Sequence, residues 1–278
     1  ANYLWGSWLL VVLLGIGLLY TTATRLIQLR SLPVLKRALL SQLLQPNKKK
    51  PREGKLSSFQ ALCTALGSCV GSGNIIGVST AIISGGPGAL FWMWVAAFLG
   101  MATKFGEITL GQLYKSTDRH GNTVGGPMYY ISKGLKLPWL GTLFAVLLFT
   151  QNLGGTLIQS NTISSVVLDL LHFPKPITGT ILAIIMFFIT LGGMKRLVAI
   201  AVKVVPFMAL FYIICGLSVL LINYTHFLDM LRLIFTSAFS LDAGSGAAIG
   251  YSIQKSMRYG VARGLYSNEA GEGSAAVL

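Results

Sequence analysis

Acidic side chains are scarce: only eight of the 278 residues are Asp or Glu, and all charged residues together make up 11% of the chain. A soluble domain carries about a quarter charged residues, so this composition excludes an ordinary water-soluble domain and points to a polytopic membrane protein. Cysteine is nearly as sparse. Cys63, Cys69 and Cys215 lie in apolar runs, are odd in number and lack metal-ligand spacing, so they read as small buried side chains. His120, His172 and His226 fall in or near connections with no HExxH or paired-ligand spacing. With no serine–base constellation either, nothing supports a transition-metal site or an enzyme. The net charge of +14 would suit nucleic acid, but the bases sit between apolar runs and no basic–aromatic surface accompanies them.

What the chain has instead is long apolar runs, with 53% hydrophobic residues and a mean hydropathy of +0.68. Residues 4–23 carry no charge. About 20 residues at ~1.5 Å each give ~30 Å, the thickness of a hydrocarbon core. A signal peptide would have a basic start and a shorter apolar run, so this is a retained helix; the missing initiator Met implies a trimmed chain or a fragment. Seven membrane segments are predicted: 4–23, 59–84, 89–114, 139–171, 177–193, 204–222, and one that starts near Gly244 and is incomplete at Leu278. A basic region, Arg25–Lys55, follows the first and includes an amphipathic stretch, 33–44, suited to the membrane surface. The predicted organisation is an extra helix (1–24), a basic connection (25–58), a first repeat (59–222), and an external connection with the start of a second repeat (223–278).

The connections carry the topology. "GGPG" at 85–88 forces a turn, and 125–138 reads as a connection anchored by Tyr129 and Tyr130. Trp92 and Trp94 read as interface anchors, 195–203 as a turn, and 226–240 as a surface helix. Lys and Arg crowd 25–55, 115–136 and 195–203 and are sparse in the alternate connections, which predicts an N-terminus outside the cytoplasm. Arg232, Lys255, Arg258 and Arg263 fit this less well, and the last three must snorkel, pair or face water. Glu107 follows Lys104 at i+3, which permits an ion pair within the helix, with a cation relay as the alternative role.

"GSGNIIG", Gly71–Gly77, lies inside the second segment. Its glycines form small-xxx-small spacings, as close helix packing requires. A dinucleotide fingerprint does not fit, because the spacing is GxGxxxG and no strand precedes it. A discontinuous helix does fit: freed backbone groups are tolerated at the midplane where they line a protected cavity. Ser68, Ser72 and Asn74 add polar groups there. A helix restarting after Gly73 would aim N–H groups at an anion, while the upstream carbonyls suit a cation. "GLYSNEAGEGS", Gly264–Ser274, repeats the composition with two carboxylates, Glu269 and Glu272. Glu269 has three candidate roles: neutralising Arg263, bonding the broken backbone, or approaching a cation. Four uninterrupted segments separate the breaks, so the interrupted pair run in opposite directions, as in joined five-helix inverted repeats.

The stretches 61–115, 125–131 ("GGPMYYI") and 263–274 ("RGLYSNEAGEGS") closely resemble the sodium:alanine/glycine symporter family of bacteria and archaea. The resemblance covers nearly the whole chain. It implies a multi-pass protein of the cytoplasmic membrane, all-α, with the leucine-transporter-like five-plus-five inverted repeat preceded by one extra helix and truncated in the second repeat. It implies symport of sodium, with proton coupling open, and of alanine or glycine; alternating access would rock one helix bundle against the other. By position it puts the unwound first core helix at Ser68–Asn74, with Ser72, Gly73 and Asn74 at the substrate. It puts Gln159 on the pocket wall and the second unwound helix at Gly264–Glu269, with Tyr266, Ser267 and Asn268 closest. Gly71, Asn74 and Glu269 are the candidate cation-binding residues. Ser72 stands where threonine is common, Tyr266 where phenylalanine is, and Glu272 where methionine is. The alternative is a channel-like or sensory membrane protein that binds a small ligand without coupled transport.

Overall fold

The computed structural model describes residues 7–37, 57–118, 123–239 and 246–277. Almost all of this is helix, apart from one two-residue ladder in which β1 (Ser116–Thr117) pairs antiparallel with β2 (Thr123–Val124). Among the described residues, four helices are long and apolar enough to cross a membrane, and a fifth crossing arises if the bent pair Trp8–Ala23 and Ile27–Arg37 counts as one span. The chain is therefore an all-α, multi-pass membrane protein. Seven spans were expected. Residues Lys175–Leu191 form a helix that is apolar but only 17 residues long. The last segment, Gly246–Asn268, is a helix carrying Lys255, Arg258 and Arg263.

The chain divides into two compact units. One gathers 1–46, 74–109 and 211–275. It contains α1 (Ser7–Ala23), α2 (Ile27–Arg37), most of α4 (Ser72–Gly85) and α5 (Ala89–Leu113), and α10 (Phe227–Phe239) and α11 (Gly246–Asn268). Positive φ at Arg25 and Leu26 turns the chain between α1 and α2, which meet at 54°. Gln28 fixes that corner by donating to Thr21 Oγ1 (2.8 Å) and the Phe98 carbonyl (3.1 Å). The expected amphipathic stretch 33–44 is helical to residue 37; the rest lies outside the described residues.

Small residues let α11 lie directly on its neighbours. A β-carbon at Gly260 would clash with the Ala89 carbonyl oxygen, and one at Gly264 would sit 3.1 Å from Ala96 Cβ. One at Gly100 would sit 2.9 Å from Ala270 Cβ. Both numberings rise together, so α5 and α11 run parallel. Against α4 the order reverses. Gly85 faces Ser256 and Tyr259 while Gly77 faces Arg263, so α4 and α11 run antiparallel. Ser256 donates its hydroxyl to the Gly85 carbonyl. Leu10, Ala96, Val261, Leu265 and Ala270 form a buried cluster against which Trp92 packs. Trp92 thus faces this cluster, whereas Trp94 is exposed.

The other unit gathers 47–73, 110–210 and 276–278. It holds α3 (Ser58–Cys69), α6 (Pro127–Gly134), α7 (Pro138–Leu171), α8 (Lys175–Leu191) and much of α9 (Gly193–Ile222). At 34 residues, α7 reaches ~51 Å, so it must tilt or extend past a bilayer. Two expectations change here. The connection 125–138 contains the short helix α6, and the supposed turn 195–203 is helical throughout, belonging to α9. The turn is at Gly192–Gly193, where Gly193 takes a φ of 65° that favours glycine.

Candidate functional site

The first interrupted segment has a true break. Residues Phe59–Gly85 form one 27-residue apolar stretch, yet α3 stops at Cys69 and α4 begins at Ser72. A capping box starts α3: Ser57 accepts from the Gln60 N–H, and the Gln60 side chain accepts from the Ser57 N–H. The residue that leaves helical geometry is Val70, at φ −99° and ψ 103°. This extended conformation suits its β-branched side chain. Gly71 does not adopt positive φ. Its lack of a side chain serves proximity instead, because a β-carbon there would sit 2.8 Å from Gln159 Nε2 on α7. One turn earlier, a β-carbon at Gly67 would sit 3.0 Å from Val205 Cγ2 on α9. This unit thus brings Gly71 and Gln159 together. Ser68 turns its hydroxyl to the Ala65 carbonyl, 2.9 Å away, on its own helix.

Ser72, Gly73 and Asn74 form the first turn of α4. Their backbone N–H groups lack the i−4 carbonyls of a continuing helix, which gives that end its capacity for an anion.

The second interruption falls later than expected. Tyr266, Ser267 and Asn268 are helical, and the predicted unwinding at Gly264–Glu269 is absent. Gly264 is used for packing on α5, and the helix ends only at Glu269, whose φ is 50°. The Glu269 N–H donates to the Tyr266 carbonyl at 3.3 Å, and the Ala270 N–H donates to the Leu265 carbonyl at 3.2 Å. This is a Schellman stop, and its customary apolar contact is made by Leu265 and Ala270 in the buried cluster. Gly271 and Gly273, at φ 93° and 74°, then fold the chain back. Tyr266 and Asn268 are exposed on the last turn of α11.

Sequence reasoning missed one cluster around that stop. Lys104 on α5 donates to the Glu269 carbonyl at 3.0 Å and approaches its carboxylate at 3.7 Å. Ser274 donates to the same carboxylate. Lys104 thus reaches Glu269 across the turn while its charge also acts on Glu107 three residues along its own helix. The backbone N–H groups of Gly271 and Gly273 hydrogen-bond the Glu107 carboxyl. The available signal was two carboxylates among glycines capable of positive φ, near a lysine three residues before a third carboxylate. Among the described residues, no group of His, Cys, Asp and Glu is arranged to hold a metal ion.

The whole chain, residues 1–278, matches the Sodium:alanine symporter family. It is 41% identical to the sodium/alanine symporter AgcS of Methanococcus maripaludis, over 99% of this chain and 60% of that protein. It is 40% identical to the amino-acid carrier protein AlsT of Bacillus subtilis, over 99% of this chain and 57% of that protein. A Haemophilus influenzae protein named as an uncharacterized transporter is 44% identical, over 99% of this chain and 60% of its own length. The chain thus spans little more than half the length of these relatives.

Proposed function

Because the chain belongs to the sodium:alanine symporter family, a family of transporters and not of enzymes, we propose that the protein couples sodium entry to uptake of a small neutral amino acid, alanine or glycine. The observation that carries this reading is the break at Val70–Gly71, set inside an apolar stretch and against Gln159. A break of that kind is worth its lost helical bonds where the freed groups meet a ligand. Ser72, Gly73 and Asn74 offer N–H groups to the substrate carboxylate. The carbonyls closing α3, with Gly71 and Asn74, suit the sodium ion. Gln159 borders the substrate; Tyr266, Ser267 and Asn268 come to it by the family resemblance. The antiparallel run of α4 and α11 supports the five-plus-five inverted repeat, and an outside N-terminus follows from the charge distribution.

The test is radiolabelled alanine uptake into liposomes holding the full-length protein, with and without an inward sodium gradient, for wild type and Asn74→Ala. We expect saturable, sodium-dependent uptake that Asn74→Ala lowers by at least tenfold. Ion flux without saturable alanine uptake would instead make the protein channel-like. Equal uptake under a proton gradient alone would move the coupling ion.

A further inference from the structure

Glu107 is a buried carboxylate that the fold uses on one side only. The residue is 8% exposed and faces the loop that follows α11. The amides of Gly271 and Gly273 hydrogen-bond its carboxyl, yet among the described residues Oε2 is buried and has no hydrogen-bond partner. Holding the loop needs only an acceptor oxygen, which a glutamine would supply equally well. A carboxyl with one oxygen committed and one left over is suited to an exchangeable ligand on the second.

We propose that Glu107 Oε2 is a proton-binding site that governs the charge of the cluster beneath the end of α11. The proton arrives from water as hydronium, forms the O–H bond at Oε2 and leaves one water molecule behind; ionisation reverses this. The surrounding charges select a proton over a metal cation. On the same helix Lys104 faces the carboxyl, and from the loop two N–H donors point at it. An added sodium ion would meet three positive or partly positive groups. Glu272, also on the loop, faces Glu107 and repels a second negative charge, while Glu269 is engaged by Lys104 and Ser274. From α1, Tyr20 packs beside Gly106 and Leu13 lies near Gly271. A buried anionic oxygen without a donor is costly, and protonation removes the charge without disturbing the two amide bonds. Glu107 lies six residues before the end of α5, ~9 Å from that terminus, which leaves a short path for proton exchange.

This inference stands apart from the symport reading, and its test reads protonation rather than transport. The experiment is infrared difference spectroscopy of the full-length protein in lipid, following the C=O stretch of protonated carboxyls as pH is raised, in choline chloride and again in sodium chloride. We expect a band in the wild type that disappears on raising pH, is missing from Glu107→Gln, and persists in Glu272→Gln with its disappearance moved to lower pH. It should be the same in both salts. A wild-type spectrum superimposable on that of Glu107→Gln overturns the proposal, as does loss of the band in Glu272→Gln at every pH. Bleaching by sodium at constant pH overturns it in favour of a metal-cation site. Should Glu107→Gln not fold, Glu107→Asp carries the test: the band must shift, and an unmoved band overturns the assignment.

Discussion

A β-carbon at position 71 would meet Gln159 Nε2 at 2.8 Å, but that atom ends a flexible side chain and can yield. Gly71→Ala is therefore expected to fold and to displace the Gln159 amide. The alanine KM for uptake should rise up to about tenfold, ~1.4 kcal/mol, with little change in maximal rate. Adding Gln159→Ala should cost less than it does in wild type, so a double-mutant cycle reads their coupling. Additive effects would mean that Gly71 and Gln159 act independently. The importance of this glycine was visible in the sequence; its physical reason was not. Composition suggested backbone freedom, whereas the chain turns at Val70 and the glycine makes room for a side chain 88 positions away. A long-range contact of that kind leaves no local pattern to read.

Between elements, the same residue type does opposite things. At Gly260 a β-carbon would press on the Ala89 backbone carbonyl, and backbone cannot swing aside. Gly260→Ala is expected to separate α11 from α5 and cost roughly 1–3 kcal/mol, seen as a lower thermal transition of the full-length protein in detergent. At Gly155 on α7 and Gly216 on α9 a β-carbon would meet nothing within 4 Å. Alanine at either should be neutral or raise the same transition, since glycine costs a helix roughly 0.5–1 kcal/mol. A destabilised Gly155→Ala would point to a packed surface on α7. Helix existence was largely legible from the apolar runs and from "GGPG", because both act locally. The end of α11 was not. Its stop depends on Leu265 and Ala270 reaching a cluster shared with α1 and α5, and on Lys104 capturing Glu269, neither of which a local window contains. The lysines at 195 and 203 misled for the opposite reason: basic residues mark a membrane boundary well but do not interrupt a helix.

For the molecule as a whole, helix direction constrains the crossings. Because α5 and α11 run parallel, the chain between them must cross the membrane an odd number of times. The candidates in between are α7, α8 and α9. Of these, α7 and α9 are long and apolar enough to span, and α8, with 17 residues or ~26 Å, is a little shorter than a ~30 Å hydrocarbon core. Parity nevertheless requires α8 to cross, which a slightly thinned bilayer or snorkelling flanks permit at modest cost. The antiparallel run of α4 against α11 imposes the same count. The prediction uses single cysteines at Phe173 and Met194, both exposed and flanking α8, in full-length protein lacking Cys63, Cys69 and Cys215. A membrane-impermeant maleimide applied to right-side-out and inverted vesicles should label them from opposite faces. With the basic residues at 195, 196 and 203 drawn to the cytoplasm, Phe173→Cys should react from outside and Met194→Cys from inside. The reverse pattern would invert the molecule and place the N-terminus inside while keeping the parity. Labelling of both from one face would make α8 re-entrant, and the inverted relation between α4 and α11 could then no longer arise from two joined repeats of five crossings.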